Sequence, residues 1–318
     1  MPAIARIDPK TVFTPEEWAS LTQKSAWMGP VLVAHAWGLV ILAVALVAIW
    51  PNPITWLIAV MIVGARQLGL AILMHEAAHG ALHPNAKVND FLGQWLCASP
   101  VGGSLPGYRP YHLTHHRFAQ QAEDPDLSLS APFPITPQSF WRKAARDLTG
   151  QTFFKQRIAP VIAAFKGRDG EAHPEQRLLT STRSLAPFLG TNAILFAIFA
   201  VAGVWHLYFL VWIVGMATWF PLVTRVRNIG EHACVENDHD PWRQARTTLA
   251  NPLERVLIAP YWVHYHLEHH LFMYLSCWKL EAAHKMLVAK GLVEKMPVTR
   301  GYRDVLKLAT SKAEPAAA

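Results

Sequence analysis

Histidine recurs in this chain at spacings that suit metal chemistry. His75-Glu-Ala-Ala-His79, His112-Leu-Thr-His115-His116 and His266-Leu-Glu-His269-His270 form three clusters, and Asn228-Ile-Gly-Glu-His232 adds a fourth. Together they take nine of the 16 histidines. Residues four apart on a helix share a face, about 6 Å apart along the axis, so His75 and His79 can point at one target. His112 pairs in the same way with His115 and His116. Adjacent residues fan out by about 100°, so such a pair can serve two neighbouring ions. Imidazole suits iron, zinc and copper. Nine ligands are too many for one ion and enough for two. Glu76, Asp124, Glu231 and Glu268 lie in or beside the clusters. They read either as acceptors that orient ligand imidazoles or as ordinary solvated or paired acids. His35, His173, His206, His239 and His284 stand alone and read as surface or satisfied core residues. His83 and His264 sit beside clusters and are left open.

Elements must return these distant clusters to one place. The 318 residues are 52% hydrophobic and only 16% charged, with 13 tryptophans. That is an integral membrane composition, with indoles suited to the interfaces. Four stretches approach the roughly 20 apolar residues that a spanning helix needs. They are 27–50, 54–74, 185–204 and 207–223. Pro51-Asn52-Pro53 joins the first two, and Trp205 with His206 joins the last two, so the expected fold is all-α, with four transmembrane helices in two hairpins. The domain reading is a polar segment 1–26, a membrane domain 27–300 and a tail 301–318. Thr14-Pro15-Glu16-Glu17 reads as the start of a short N-terminal surface helix, and the polar residues before it do not resemble a signal peptide. The apolar pieces 91–101 and 251–260 are too short to span and read as interfacial or re-entrant. Pro132, Pro134 and Pro137 mark one loop, and 166–171 marks another. Residues beyond Ala309 read as a frayed end.

Charge gives the orientation. Neither hairpin turn contains lysine or arginine, whereas 106–184 holds many, among them Arg109, Arg117, Arg142, Lys143, Arg146 and Arg157. Positive residues mark the cytoplasmic side, which places both termini and all four clusters there as a helical cap. The net charge of +7 is then a matter of topology, and no stacking motif points to nucleic acid. Cys97, Cys234 and Cys277 form no CxxC pair and read as core residues.

With these residues in view, the chain resembles the membrane fatty-acid desaturase/hydroxylase family. The resemblance rests on His75-x3-His79, His112-x2-His115-His116 and His266-x2-His269-His270 in that order, with Asn228-x3-His232 between the last two. The run from His264 to Phe272 is similar to the third box of bacterial acyl-lipid desaturases. The resemblance covers roughly residues 30–290. It implies a non-haem di-iron site held by His75, His79, His112, His115, His116, His232, His266, His269 and His270. It also puts Asn228 near one iron, directly or through water. O2 is then the co-substrate and a lipid or fatty acyl chain the substrate, in a bacterial inner membrane. Desaturation is the leading outcome, with hydroxylation, ketolation and decarboxylation as alternatives. No flavin, nicotinamide or cytochrome fingerprint is present, so electrons are expected from a separate ferredoxin, rubredoxin or cytochrome b5 with its reductase. Substrate would reach the site between the spans, where Trp205, Tyr208, Trp212 and Trp219 either line a channel or face lipid.

Two other readings compete. His75-Glu76-Ala-Ala-His79 also fits the HExxH pattern of zinc proteases, with Glu76 as base. That would leave seven clustered histidines unused. A metal transporter would place its ligands inside the spans, whereas these clusters lie at or beyond one end.

Overall fold

The computed structural model describes residues 3–159, 162, 174–236 and 239–313, and only the backbone of 174–184. His173 and the loop 166–171 lie outside the described residues. Regular structure is almost wholly helical, apart from a parallel pairing of Thr247–Thr248 with Val298–Thr299. Among the described residues, three helices are long and apolar enough to cross a membrane.

The N-terminal helix α1 (Pro15–Thr22) starts on a capping box, with Thr14 and Glu17 satisfying each other's backbone N–H groups. Helix α2 (Met28–Ile49) is apolar all round. Asn52 caps α3 (Pro53–Ala78), accepting from the backbones of Ile54 and Thr55 with Pro53 in the first turn. The expected span 54–74 is thus one helix that continues through the first histidine cluster, and His79 ends it. Most of the C-terminal half of α3 is buried, because α2, the segment 92–98 and the helix ending at His232 pack around it.

The second pair departs from expectation in two ways. The helix α5 (Pro174–Val201) has a polar start, and its apolar described part, Leu185–Val201, falls short of spanning length. The turn is made by residues 202–204, with Gly203 at φ +75, so Trp205 and His206 already belong to the next helical run. That run, α6 (Trp205–His232), passes through a π-helical stretch at Tyr208–Ile213 and continues far beyond residue 223. The second hairpin therefore delivers Asn228 and His232 on a helix, just as the first delivers His75 and His79.

Pro137 opens a helix, Pro137–Leu148, with Thr136 as its cap, instead of belonging to the preceding loop. Trp212 and Tyr208 neither line a channel nor face lipid. Trp212 is fully buried, and Trp212 Nε1 and Tyr208 Oη both donate to Asn192 Oδ1 (3.0 and 3.1 Å). Trp219 Nε1 donates to the Leu257 carbonyl, and Trp205 is exposed. Two short helices complete the frame around the remaining histidines: α4 (Leu105–Phe118) and α7 (His266–Leu271).

Candidate metal centre

Helical periodicity sorts the histidines. On α4, His112 and His116 fall on one side and His115 on the other. On α7, His266 and His270 share a side that excludes His269. The outcome is two groups. His75, His79, His112, His116 and His269 form one, and His115, His232, His266 and His270 form the other. Within each group one nitrogen per ring lies within 4.8 Å of all the others. The two adjacent histidines of each HxxHH cluster therefore serve different groups.

Hydrogen bonds behind the rings aim them. Asp124 Oδ1 lies 2.8 Å from His115 Nδ1 and also accepts from the Asp126 backbone, while its other oxygen accepts from the Gln120 backbone. Gln120 sits at φ +62, a backbone form rare outside glycine, and this carboxylate holds the turn. His232 Nδ1 faces the Gln244 carbonyl at 3.1 Å. His75 Nδ1 lies 3.3 Å from Glu76 Oε1, whose other oxygen accepts from the Cys277 backbone. A carboxylate or carbonyl opposite Nδ1 requires that nitrogen to keep the proton and leaves Nε2 as a bare lone pair.

The far sides of the rings then present lone pairs to one another. The Nε2 atoms of His115 and His232 are 3.2 Å apart, with both Nδ1 positions already engaged, and His232 and His266 are 2.9 Å apart. Such a pair repels unless a proton or cation lies between. In the group of five, His116 Nε2 lies 3.0 Å from both His112 Nε2 and His269 Nε2, and the buried Nε2 atoms of His75 and His79 have no partner among the described residues. An unmade buried polar contact is costly, and a cation at the centre of each group would satisfy these nitrogens together. Burial above all, then mutual repulsion, holds His112, His116, His266, His269 and His270 well below the ordinary histidine range. Burial likewise takes His79 down to about 3. Neutral imidazoles are the form that ligates metal.

The other sequence candidates are placed as follows. Glu231 pairs with Arg227, and its Oε1 lies 3.4 Å from His266 Nδ1. Glu268 follows the second of the two readings, that of a paired acid. Its oxygens take His284 Nδ1 (2.6 Å) and Thr247 Oγ1 (2.5 Å), and among the described residues it meets no cluster imidazole. Asn228 is in neither group. It accepts from Arg227 and lines a small polar cavity of about 40 Å³ beside His112, His115, His232 and His266. His83, His264 and His35 also lie outside both groups, bonded to Asn85, the Thr248 carbonyl and Tyr261 respectively. Two contributors escaped sequence reasoning. Tyr108 stacks on His112 at 5.0 Å, and its position four residues earlier on α4 was a usable signal. Gln244 acts through its backbone carbonyl, which no side-chain pattern records.

Two compact imidazole groups thus form where the ends of two long apolar helices meet the short helices α4 and α7. The sequence matches the Fatty acid desaturase family over residues 51–300. The chain belongs to the fatty acid desaturase family. Similar proteins include the dihydrorhizobitoxine desaturase of Bradyrhizobium elkanii, 28% identical over 272 residues, which are 81% of this chain and 75% of that protein. The beta-carotene ketolase of Paracoccus sp. (strain PC1) is 35% identical over 109 residues, 32% of this chain and 40% of that protein. These desaturase-family likenesses make the chain an oxidoreductase, and with three helices of spanning length they place it among membrane proteins. They lend nothing to the zinc-protease or transporter readings.

Proposed function

We propose that this desaturase-family chain is an O2-dependent, di-iron membrane oxidoreductase that introduces a double bond into an acyl chain. The observation that carries the reading is the sorting of nine buried or half-buried imidazoles into two adjacent groups with converging lone pairs. His75, His79, His112, His116 and His269 would hold one iron, and His115, His232, His266 and His270 the other, with Asn228 beside the second. Bound and reduced, the irons supply from O2 an oxidant able to take hydrogen from an unactivated carbon. The reaction balances when two substrate hydrogens, two protons, two electrons and one O2 leave as an alkene and two waters. An external one-electron carrier of the ferredoxin, rubredoxin or cytochrome b5 type supplies the electrons.

The chain's own residues set the geometry. Asp124 and the Gln244 carbonyl keep the Nδ1 protons of His115 and His232 in place, so that Nε2 faces the metal position. In this reading α2, α3, α5 and α6 cross a bacterial inner membrane, and the histidine cap and both termini lie in the cytoplasm. The membrane domain runs over residues 27–300, between the N-terminal segment and the tail. Ketolation or hydroxylation of a lipid is the second reading, favoured by the likeness to a ketolase.

Expression in a heterologous bacterium, with mass spectrometry of lipids and small metabolites, tests both. The expected outcome is an unsaturated product and two irons per chain, with the product absent in His269→Ala. An oxygenated product with two irons establishes the second reading. One zinc per chain refutes both.

A further inference from the structure

A cavity of about 230 Å³ lies between the N-terminal segment and the turn that follows α7. It is bordered by His116 from the group of five and by His270 from the group of four. Their ring centroids are 4.2 Å apart, the closest approach between the two groups among the described residues. A ligand held in this cavity therefore touches one ring from each group. The larger apolar groove, about 470 Å³ among Trp37, Trp95, Ile194 and Ile198, touches no histidine.

The walls are mostly apolar: Ile7, Trp18, Phe272, Met273 and Leu275. They are also fixed. Trp18 and Phe13 pack edge-on against Phe272 at 5.7 and 5.1 Å, Ile4 N donates to the Arg117 carbonyl, and Lys290 pairs with Glu17. Two polar groups interrupt this lining. Gln244 is 3% exposed, and its Nε2 has no partner among the described residues. Arg6 is exposed and forms no ion pair among the described residues. A buried donor left unmade at the wall of an apolar cavity points to a ligand acceptor. Ligand sites for drug-sized molecules take roughly 300–1,000 Å³, so this one suits something smaller.

We infer that this cavity binds the substrate, and that the substrate is a short amphiphilic carboxylate and not a full-length membrane acyl chain. Gln244 Nε2 donates to an acceptor oxygen of the substrate, Arg6 compensates its charge at the rim, and the apolar walls press the carbon chain against His116 and His270. Gln244 and Arg6 are thus substrate-binding residues, and α1 is part of the active-site wall. This rests on the oxidoreductase reading above.

The test uses the iron-loaded full chain in lipid nanodiscs, with radiolabelled octanoate in equilibrium dialysis and iron counted in parallel. Octanoate is expected to bind saturably, with octanol and octadecanoate competing at least tenfold less well. Gln244→Met should weaken octanoate about tenfold, the worth of one hydrogen bond to a charged group, and Arg6→Gln, at the exposed rim, about two- to fivefold. Met273→Trp, which fills the cavity, should abolish binding, with two irons per chain retained in all three variants. Octadecanoate competing better than octanoate, or octanoate binding indifferent to Met273→Trp, overturns the inference. Two irons and intact octanoate binding without oxidised product in cells would refute the oxidoreductase reading and leave the cavity assignment standing.

Discussion

Asp124 and Glu268 look alike in the sequence, each an acid in or beside an HxxHH cluster, yet they do different work. Asp124 faces a cluster imidazole and carries two backbone N–H groups besides, whereas Glu268 ties Thr247 to His284 behind the site. Removing an acceptor behind a metal ligand typically weakens metal affinity about 10–100-fold. Asp124→Asn is therefore expected to give up its iron about 10–100-fold more readily, read by chelator competition. Glu268→Gln should keep two irons per folded chain but lower the thermal midpoint, because a buried charge-assisted hydrogen bond is worth about 1.5–3 kcal/mol. Iron lost equally from both variants would contradict this division. The ligand spacing was legible because helix geometry is local. The acids were legible only as neighbours, since the path of the 119–126 turn decides which imidazole an acid meets.

Elements set how closely these residues approach. α3 and α6 cross where Gly64 and Gly215 meet: a Cβ on Gly64 would lie 2.7 Å from Trp219 Cβ, and one on Gly215 3.3 Å from the Gly64 backbone. Small residues allow such close backbones between membrane helices. Gly64→Leu should push apart the helices that carry His75 and His232, at about 1–3 kcal/mol of overpacking. A lower thermal midpoint and reduced iron content are expected. Gly190→Leu, on α5 with open space around it, serves as the control and should change neither. The helices α2 and α3 were legible from apolar length and the Pro-Asn-Pro break. α6 was foreseen too short, because Arg225 and Arg227 break the apolar pattern without breaking the helix. Arg225 is paired with Asp147 and Arg227 with Glu231, so neither charge stays bare. Arg66 follows the same logic: it lies mid-way along α3, and its buried guanidinium donates to the Val256 carbonyl at the end of Pro252–Leu257, an orphan acceptor at a helix C-terminus.

At the scale of the molecule, the clusters come from four separate parts of the chain and meet in the two histidine groups. A ligand bound by the folded state alone stabilises it by about 4 kcal/mol at 1,000 times its dissociation constant. Stripping iron with a chelator should accordingly lower the thermal midpoint by several degrees and restore it on reloading, followed by circular dichroism. A midpoint insensitive to chelation would separate the histidine groups from folding. That the clusters converge was legible, because two hairpins return them to one side. The cavity beside them was not, since its walls pair residues 4–22 with residues 270–275, a contact with no local signature.

The division of each HxxHH helix between two groups has a consequence for assembly. α4 and α7 are short, and each feeds both positions, so neither position can be ordered without partly ordering the other. The first ion to arrive fixes the ring angles that the second needs and spares it that entropy. Loading should be cooperative: apo-protein titrated with iron, weighed intact, should populate empty and doubly loaded chains with few carrying one.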